Sequence, residues 1–353
     1  MSHIYAATDL HDWSAAVLTR AGLVPDHAIA VAESLIFAEQ RGVSTHGLIR
    51  LEIYLERIVA GGINSKATIR VVQESGATAI VDADNSIGAP AAVFAADLCT
   101  RKANNHGCST VVVTNANHFG AAGCYVRRIA SKGQIGILVC NTDAVVVPPG
   151  GGLPVLGSNP IAIALPRTRN GTEALLDMAT SEASYGKLIA AQQKGDSIPP
   201  GWAVDRLGRS TTDPSEGLAG ALLPAAGPKG FGLAFMIDIL ATLGGAELSP
   251  VAGRLYGPRE LPQRLGFFFI GIDPNHFLGS DALGATIENL RAHVRGARSE
   301  DDALGYPMIP GEPEQLSEKM LGQTLELSDP VWNELNKVAE QYCVPLPVGG
   351  RSA

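Results

Sequence analysis

Three residues spaced four apart, His46, Arg50 and Tyr54, have the types and the spacing to bind a small carboxylate and exchange a proton with it. On an α-helix such residues lie on one face, so the spacing predicts one helical wall about 12 Å long, at roughly 1.5 Å per residue. The Arg50 guanidinium can bind a carboxylate through two parallel hydrogen bonds, and the His46 imidazole titrates near neutral pH. The same residue types are common on solvated helix faces, so this segment alone leaves both interpretations open.

A second histidine, His118, follows the apolar run STVVVTN in the segment NHFGAAGCY. The carboxyl ends of strands line the ligand crevice in open α/β sheets, and Gly120 and Gly123 allow a ligand to approach the backbone closely. His118 is therefore a candidate acid/base catalyst that also neighbours a cofactor. A helix-capping loop, in which the histidine bonds only backbone atoms, is the alternative interpretation.

Two further segments indicate contacts with a nucleotide. Asp177 ends the predicted strand in LLDMAT, where an acid commonly bonds ribose hydroxyls, although a helix N-cap is an equal alternative. Lys229 lies among the glycines of GPKGFG, which would bring its ammonium close to a phosphate. That GxxGxG order is not the Rossmann fingerprint, and the sequence contains no P-loop motif.

Composition excludes several function classes. The chain has 353 residues, 46% hydrophobic and 18% charged, which predicts a folded protein large enough for two lobes. A net charge of −8, without a Lys/Arg stripe, argues against a nucleic-acid partner. No histidine or cysteine spacing suits a metal, and no GxSxG elbow occurs. The five cysteines lack CxxC spacing, and no signal-like or membrane-spanning stretch is found, so we expect a cytoplasmic protein without a membrane partner.

Hydrophobic periodicity divides the chain into three parts. We expect a helical N-terminal segment over residues 1–65, an α/β core that binds cofactor and substrate over 66–310, and C-terminal helices over 311–353 that pack on the N-terminal lobe. The segment 197–226 is predicted to be irregular. The predicted helices are 10–22, 25–42, 45–61, 90–105, 124–131, 228–245, 283–295, 312–321 and 330–342.

Seven segments in order between residues 44 and 314 resemble the malate/L-lactate dehydrogenases of the second, non-Rossmann type. The segments are STHGLIRLEIYLERIVAGGIN, NHFGAAGCY, GSNPIAIALP, LDMATSEASYGK, IPPGWAVDRLGRSTTDP, LLPAAGPKGFGLA and IPGEPE. The resemblance implies a three-layer α/β fold of the sulfolactate dehydrogenase type, with a mixed, largely antiparallel seven-stranded sheet and a helical lobe formed by both ends of the chain. It also implies a homodimer with its active site near the subunit interface.

The resemblance also implies residue roles. His118 looks like the acid/base group at the reacting carbon, and Thr45 and His46 look like the hydroxyl–histidine pair beside the substrate. Arg50 looks like the carboxylate clamp, and Tyr54 like a residue of the substrate wall. The residues implied to contact a nicotinamide dinucleotide, NAD or NADP, are His118, Phe119, Gly120, Asn141, Asn159, Asp177, Met178, Ala179, Lys229, Gly311 and Glu312.

These observations predict an NAD(P)-dependent oxidoreductase that transfers a hydride between nicotinamide and C2 of a small 2-hydroxy or 2-oxo acid. The alternative enzyme is an NADPH-dependent reductase of cyclic imino acids such as Δ1-piperideine-2-carboxylate, in which a ring nitrogen replaces the oxygen. A third interpretation is a regulatory protein that binds a nucleotide without reaction. The presence of both His46 and His118 argues against that third interpretation.

Overall fold

A seven-stranded mixed sheet forms the centre of the computed structural model, which describes residues 2–298 and 305–351. In spatial order its strands are β2 (Arg70–Ser75), β3 (Thr78–Asp82), β4 (Cys108–Ala116), β11 (Leu265–Ile272), β5 (Ile135–Cys140), β6 (Ile161–Ala164) and β7 (Leu175–Met178). Helix α4 (Gly88–His106) connects β3 to β4, which pair in parallel. All other neighbours in this sheet are antiparallel. The predicted mixed, largely antiparallel sheet is therefore confirmed.

Helices cover both faces of the central strand β11. Gly271 of β11 faces Cys99 of α4, whereas Gly266 lies against the backbone of Ala241, which ends α8 (Pro228–Ala241). Helix α5 (Gly123–Ala130) packs beside α4. Strands buried on both faces read as continuous apolar runs, which explains sequences such as GFFFIGI in β11. The result is the predicted three-layer arrangement.

Helices from both ends of the chain pack together beside this sheet. They are α1 (Ala7–Arg20), α2 (Pro25–Gln40), α3 (Leu51–Ala60), α10 (Glu312–Leu321) and α11 (Asp329–Tyr342). Helix α11 contacts α1 and α3, and α10 contacts α2. One apolar core includes residues of α1, α2, α3, α11 and the central sheet. The boundaries at residues 65 and 310 stay predictions.

A small antiparallel sheet that the sequence did not predict joins the two ends. Strand β1 (Ser2–Ala6) lies between β12 (Thr324–Ser328) and β13 (Gly350–Arg351). Each strand has at most five residues, so their alternating patterns are too short to identify without the partner.

The prediction of an irregular segment over 197–226 was wrong. This segment contains β8 (Ala203–Val204), β9 (Ser210–Thr211), α7 (Pro214–Ala219) and β10 (Ala221–Leu222). The three strands form a second small sheet in the order β10–β8–β9, and α7 packs against α6 (Tyr185–Lys194). The predicted helix 283–295 corresponds to α9 (Ser280–Gly296). Within residues 2–298 and 305–351, no helix is long and apolar enough to cross a membrane.

Candidate active site

One cavity of about 1130 Å³ is lined by many parts of the chain, three of which contain predicted site residues. Its wall includes Thr45, His46 and Arg50 from the segment between α2 and α3, then 118–120 after β4, and 177–179 at the end of β7. Two of these three segments follow strand ends, as ligand-binding residues of α/β sheets commonly do. The volume exceeds the roughly 300–1,000 Å³ of ordinary small-ligand pockets. It therefore has room for a small acid beside a larger ligand.

The segment that carries His46 and Arg50 is not the single helix that the spacing predicted. Two separate 3₁₀ turns, Ser44–His46 and Leu48–Arg50, precede α3. Gly47 between them has an extended backbone with φ −89° and ψ −147°. A Cβ at this glycine would lie 2.1 Å from Oε1 of Glu39, and the Leu48 N–H donates to the same oxygen at 2.7 Å. The Glu39 carboxylate thus replaces the helical hydrogen bond that the prediction assumed.

The Arg50 guanidinium is buried in the cavity wall without a carboxylate partner. Its Nε donates to the Thr45 carbonyl at 2.7 Å, and its Nη1 donates to the Tyr256 hydroxyl. The guanidinium carbon lies 5.5 Å from the centroid of the Tyr256 ring. Among residues 2–298 and 305–351, no carboxylate oxygen lies within 4.0 Å of Arg50. A buried cation without an anionic partner is costly unless its N–H groups are bonded, and a bound anion would remove that cost.

The ring of His118 is held by hydrogen bonds to one of its nitrogens. The Tyr54 hydroxyl lies 2.7 Å from Nδ1, and the Gly120 N–H donates to Nδ1 at 3.3 Å. Since a backbone N–H can only donate, this geometry favours the tautomer with the proton on Nε2. Nε2 has no hydrogen-bond partner among the residues that the structure describes. The alternative interpretation, a capping histidine that bonds only backbone, is wrong because the Tyr54 side chain is a direct partner.

The two histidines lie close together and are both neutral at pH 7. Their ring centroids are 5.8 Å apart, with the planes inclined by 16°. Burial, reinforced by the positive charge of Arg50, lowers the pKa of His46 to about 3. The same two causes, with His46 and Arg57 adding to them, lower the pKa of His118 well below its usual value. Burial raises the pKa of Tyr54 above its usual value, so the phenol keeps its proton.

Asp177 also lines the cavity, and it remains accessible to solvent although protein atoms surround its carboxylate on most sides. Desolvation raises the pKa of Asp177 to about 6, against the lowering effects of the Gly123 N–H and the charge of Arg41. That N–H donates to Oδ2 at 2.7 Å. Helix α6 is capped by Ser184, so the alternative interpretation of Asp177 as a helix N-cap is wrong. At pH 7 a carboxyl group with this pKa is mostly ionised, and an ionised carboxylate accepts hydrogen bonds from hydroxyl or amide groups.

Contacts with neighbouring side chains fix the conformation of the loop after β4. Gly120 has φ +83°, and a Cβ there would lie 2.6 Å from the Ser34 hydroxyl, so only glycine fits this turn. Phe119 is buried, its ring 4.6 Å from that of Phe267. Its carbonyl accepts hydrogen bonds from Ser34 and Tyr125. These contacts fix the loop that carries His118.

A cysteine also contributes to the cavity wall. Cys140, the last residue of β5, lines the cavity. Burial raises the pKa of its thiol well above the usual value, so the group is protonated and weakly nucleophilic.

No group of three or more potential metal ligands occurs within the described part of the chain.

Five residues predicted to contact a cofactor do not line the cavity. Lys229 is exposed in the first turn of α8, and Gly311 packs against the backbone of Leu175. The remaining three use their side chains within the protein. Asn141 donates to Glu247 O at 2.6 Å, Asn159 donates to Ala234 O at 2.9 Å, and Glu312 pairs with Arg291 at 2.7 Å and Arg295 at 2.8 Å. Their cofactor roles stay predictions, as do those of the residues that line the cavity.

Sequence reasoning missed Glu39 and Tyr256. For Glu39 a signal existed, because Gly47 interrupts an otherwise helical pattern and such a glycine commonly marks a break. For Tyr256 no local signal existed. It lies 206 residues from its partner Arg50, in a segment without regular periodicity.

Comparison with known proteins gives consistent matches over nearly the whole chain. A family model described as malate/L-lactate dehydrogenase matches residues 5–336. L-sulfolactate dehydrogenase of Methanocaldococcus jannaschii is 35% identical over 326 residues, covering 92% of this chain and 93% of that protein. Ureidoglycolate dehydrogenase (NAD(+)) of Escherichia coli K12 is 36% identical over 331 residues, covering 92% and 93%.

Solved structures show the same fold. Sulfolactate dehydrogenase from Methanocaldococcus jannaschii has a TM-score of 0.89 at 33% identity, covering 97% of this chain and 98% of that one. Δ1-piperideine-2-carboxylate reductase from Pseudomonas syringae has a TM-score of 0.86 at 28% identity, covering 95% and 99%. The predicted sulfolactate dehydrogenase type of fold is confirmed.

Proposed function

The chain belongs to the malate/L-lactate dehydrogenase family, and from this membership we propose that it transfers a hydride between a nicotinamide dinucleotide and C2 of a small 2-hydroxy or 2-oxo acid. Family membership makes the protein an oxidoreductase, so the interpretation as a regulatory protein without activity is set aside. The observation that carries the proposal is that Arg50, a buried cation without an acidic partner, lines the same cavity as His118.

Arg50 binds the carboxylate of the acid in this proposal. With Nε committed to Thr45 and one N–H of Nη1 to Tyr256, the remaining N–H groups on Nη1 and Nη2 are available to a ligand. A Cβ at Gly186 would lie 3.8 Å from Nη2. The short glycine leaves room for a planar carboxylate to form two parallel hydrogen bonds. Holding the carboxylate in this way orients the neighbouring C2 atom, which is worth several orders of magnitude in rate.

His118 exchanges the proton on the C2 oxygen. In the direction of 2-oxo acid reduction, His118 protonated on both ring nitrogens donates its Nε2 proton to the oxygen that becomes a hydroxyl, which leaves the neutral tautomer with the proton on Nδ1. In the direction of oxidation, Nε2 accepts that proton while Nδ1–H donates to the Tyr54 oxygen. A hydroxyl serves both tautomers because it can donate or accept. When a carboxylate neutralises Arg50, one cause of the low pKa of His118 is removed, so substrate binding makes His118 easier to protonate.

Three features of the cavity fit a nicotinamide dinucleotide. Its volume exceeds what a small acid needs, Asp177 offers acceptors at a strand end, and the tight turn at Gly120 exposes backbone to the cavity. When bound, the dinucleotide supplies or accepts the hydride. His118, Phe119, Gly120, Asp177, Met178 and Ala179 are the predicted contacts that line the cavity. The E. coli relative is named for NAD(+). Assays with NADH and with NADPH distinguish the two cofactors for this protein.

The alternative function is reduction of a cyclic imino acid. The Pseudomonas syringae enzyme of similar structure is named for Δ1-piperideine-2-carboxylate, a carboxylate that Arg50 would bind in the same way. The ring nitrogen then takes the place of the C2 oxygen and receives the proton from His118. Protonation favours hydride addition to an imine.

We further propose that the protein is a homodimer. Helix α8 exposes Phe235, Met236 and Ile239, although a helix that is apolar on all sides is normally buried. A second copy of the chain would cover this surface. Light scattering should give about twice the monomer mass, and a monomeric mass would contradict the proposal. The cytoplasmic location stays a prediction.

A substrate panel tests the proposed function. Pyruvate, oxaloacetate and the two cyclic imines, Δ1-piperideine-2-carboxylate and Δ1-pyrroline-2-carboxylate, are assayed with NADH and with NADPH. L-sulfolactate, L-malate and ureidoglycolate are assayed in the oxidation direction. We expect turnover of at least one 2-hydroxy or 2-oxo acid. Turnover of the imines alone would establish the alternative, and no turnover of any acid despite cofactor binding would contradict both.

A further inference from the structure

Tyr256 occupies a place in the cavity that no sequence motif indicated. Its hydroxyl accepts a hydrogen bond from Nη1 of Arg50, and its ring stacks against the guanidinium with 5.5 Å between guanidinium carbon and ring centroid. The side chain is half exposed and lines the cavity. Because the hydroxyl accepts from Arg50, its own proton is free to be donated elsewhere. Tyr256 therefore presents a donor directly beside the cation proposed to bind the substrate carboxylate.

A buried arginine on α3 fixes the position of Tyr256. Arg57 is fully buried, and its Nη1 lies 3.3 Å from the carbonyls of Arg254 and Leu255 and 3.4 Å from that of Pro258. Its Nη2 donates to a fourth carbonyl, that of Leu261. These acceptors bracket Tyr256 on both sides along the chain.

The arrangement at Arg57 is unusual because carbonyl oxygens replace a counter-ion. Among residues 2–298 and 305–351, no carboxylate oxygen lies within 4.0 Å of Arg57. Burying a cation in this way is costly unless its N–H groups are bonded. The irregular loop 254–261 supplies bonds to Nη1 and Nη2, whereas the buried Nε has no partner among the described residues. The loop backbone is thereby held on the helix that also carries Tyr54. Arg50 in the turn before α3, Tyr54 on α3 and Tyr256 in the loop tied to α3 are thereby brought together.

We propose that Tyr256 is a second carboxylate-binding residue, which orients the Arg50 guanidinium and donates its own O–H to the same substrate carboxylate. This inference rests on the proposed role of Arg50 in binding the substrate acid. Three donors would then converge on one carboxylate group, two from Arg50 and one from Tyr256. Loss of the phenol oxygen should weaken binding of the acid while leaving cofactor binding unchanged.

A double-mutant cycle with oxalate as the probe tests this inference. Binding of oxalate in the presence of NADH is measured by titration calorimetry for wild type, Tyr256→Phe, Arg50→Met and the double variant. Tyr256→Phe keeps the stacked ring and removes only the hydroxyl. We expect it to raise the Kd for oxalate about tenfold, the worth of one charge-assisted hydrogen bond. Arg50→Met should raise the Kd about 100-fold, and in that background Tyr256→Phe should have little further effect.

A matched control is Tyr342→Phe, which removes a phenol oxygen from α11 outside the cavity. Its oxalate Kd should equal that of wild type. NADH affinity, measured by fluorescence, should be the same in all variants.

The outcomes separate this inference from the proposed function. If Arg50→Met weakens oxalate binding but Tyr256→Phe does not, Tyr256 has no role and the role of Arg50 stands. If the full effect of Tyr256→Phe persists in the Arg50→Met background, Tyr256 does not act with Arg50 and the inference is overturned. Unchanged binding in Arg50→Met, or no binding by wild type, overturns the carboxylate site itself.

Discussion

Two buried arginines nine residues apart, Arg41 and Arg50, both line the cavity but differ in what neutralises them. Arg41 lies 3.1 Å from Glu173 and 3.4 Å from Glu318, whereas Arg50 has only a carbonyl and a phenol as acceptors. A cation paired with carboxylates inside the protein joins elements of the fold. A cation without them that also lines a cavity, as Arg50 does, keeps its charge available to a ligand.

The region around Arg41 is an ion-pair network between helices. Arg127 of α5 also pairs with Glu173 and Glu318, and Arg167 lies 2.6 Å from Glu173. Burial alone would raise the pKa of Glu173, but the hydrogen bond from Arg167 and the charges of Arg127 and Arg41 outweigh it and lower that pKa. The network connects the end of α2 with α5 and α10, and each of its three arginines has a carboxylate partner within the fold. Its position beside the cavity does not make it a binding site.

Replacing Arg41 with methionine should give the largest effect and break the comparison most directly. Glu173 would keep Arg127 and Arg167 but lose its buried pair with Arg41, so we expect the free energy of unfolding to fall by about 3 kcal/mol. Urea denaturation measures the change. Arg50→Met is the matched control, with an expected loss of about 1 kcal/mol or less. An equal loss in the two variants would contradict the distinction between Arg41, which pairs with carboxylates of the protein, and Arg50, which does not.

His118→Ala should reduce turnover about 100-fold or more, the usual effect of removing a positioned acid/base group. Cofactor affinity should change little, because backbone and Asp177 account for other predicted contacts. Steady-state kinetics and NADH fluorescence titration separate these two quantities. His106→Ala, at the exposed end of α4, is the control and should match wild type. Turnover near the wild-type value in His118→Ala would remove this residue from the proposed mechanism.

Arg50→Lys sharpens the comparison by keeping the charge and losing the planar fork. We expect KM for the acid to rise about tenfold and kcat to fall, because a point charge no longer fixes the carboxylate plane. The control is the methyl ester of the best substrate, whose masked carboxylate should make wild type and variant similar. The clamp assignment fails if KM for the free acid is unchanged.

The smallest expected effect is on stability in acid, where the unfolded chain gains a proton on His46 that the folded protein does not bind. The pKa of His46 is about 3 in the folded protein against a usual value of 6.5, so the unfolded chain binds a proton that the folded chain does not. Stability is therefore present above pH 6.5 and is lost as pH falls from 6.5 towards 3. His46→Asn should reduce the loss between pH 7.5 and 6 by roughly 0.8 kcal/mol. Urea denaturation at both pH values checks this, and an unchanged pH dependence would contradict the buried, neutral state of His46.

Local patterns in the sequence were sufficient where the site depends on strand ends. His118 and Asp177 follow apolar runs that form β4 and β7, so each was identified from a few neighbouring residues. The spacing of His46, Arg50 and Tyr54 pointed to one wall. These residues do not come together on a single helix, because Gly47 and its contact with Glu39 interrupt the helix between His46 and Arg50. The residue types were enough to indicate the chemistry, whereas the backbone conformation depends on the contact between Glu39 and the Leu48 N–H.

Contacts between distant segments were beyond sequence reasoning. Tyr256 reaches Arg50 only because Arg57 organises a loop about 200 residues away along the chain, and nothing in that loop has a period. Asn141 and Asn159, predicted from the sequence to contact the cofactor, donate their amide N–H groups to backbone carbonyls within the fold. Whether a buried amide bonds backbone or ligand depends on its neighbours in space. The sequence alone does not indicate which residues will be neighbours in space.

The protonated thiol of Cys140 has a practical consequence for chemical labelling. Alkylating reagents attack the thiolate, so Cys140 should resist them at neutral pH even though it lines the cavity. Cys108 and Cys343 are exposed and should react first. Fluorescent or spin labels can therefore be attached at these two positions to follow ligand binding while the reacting centre keeps its native chemistry.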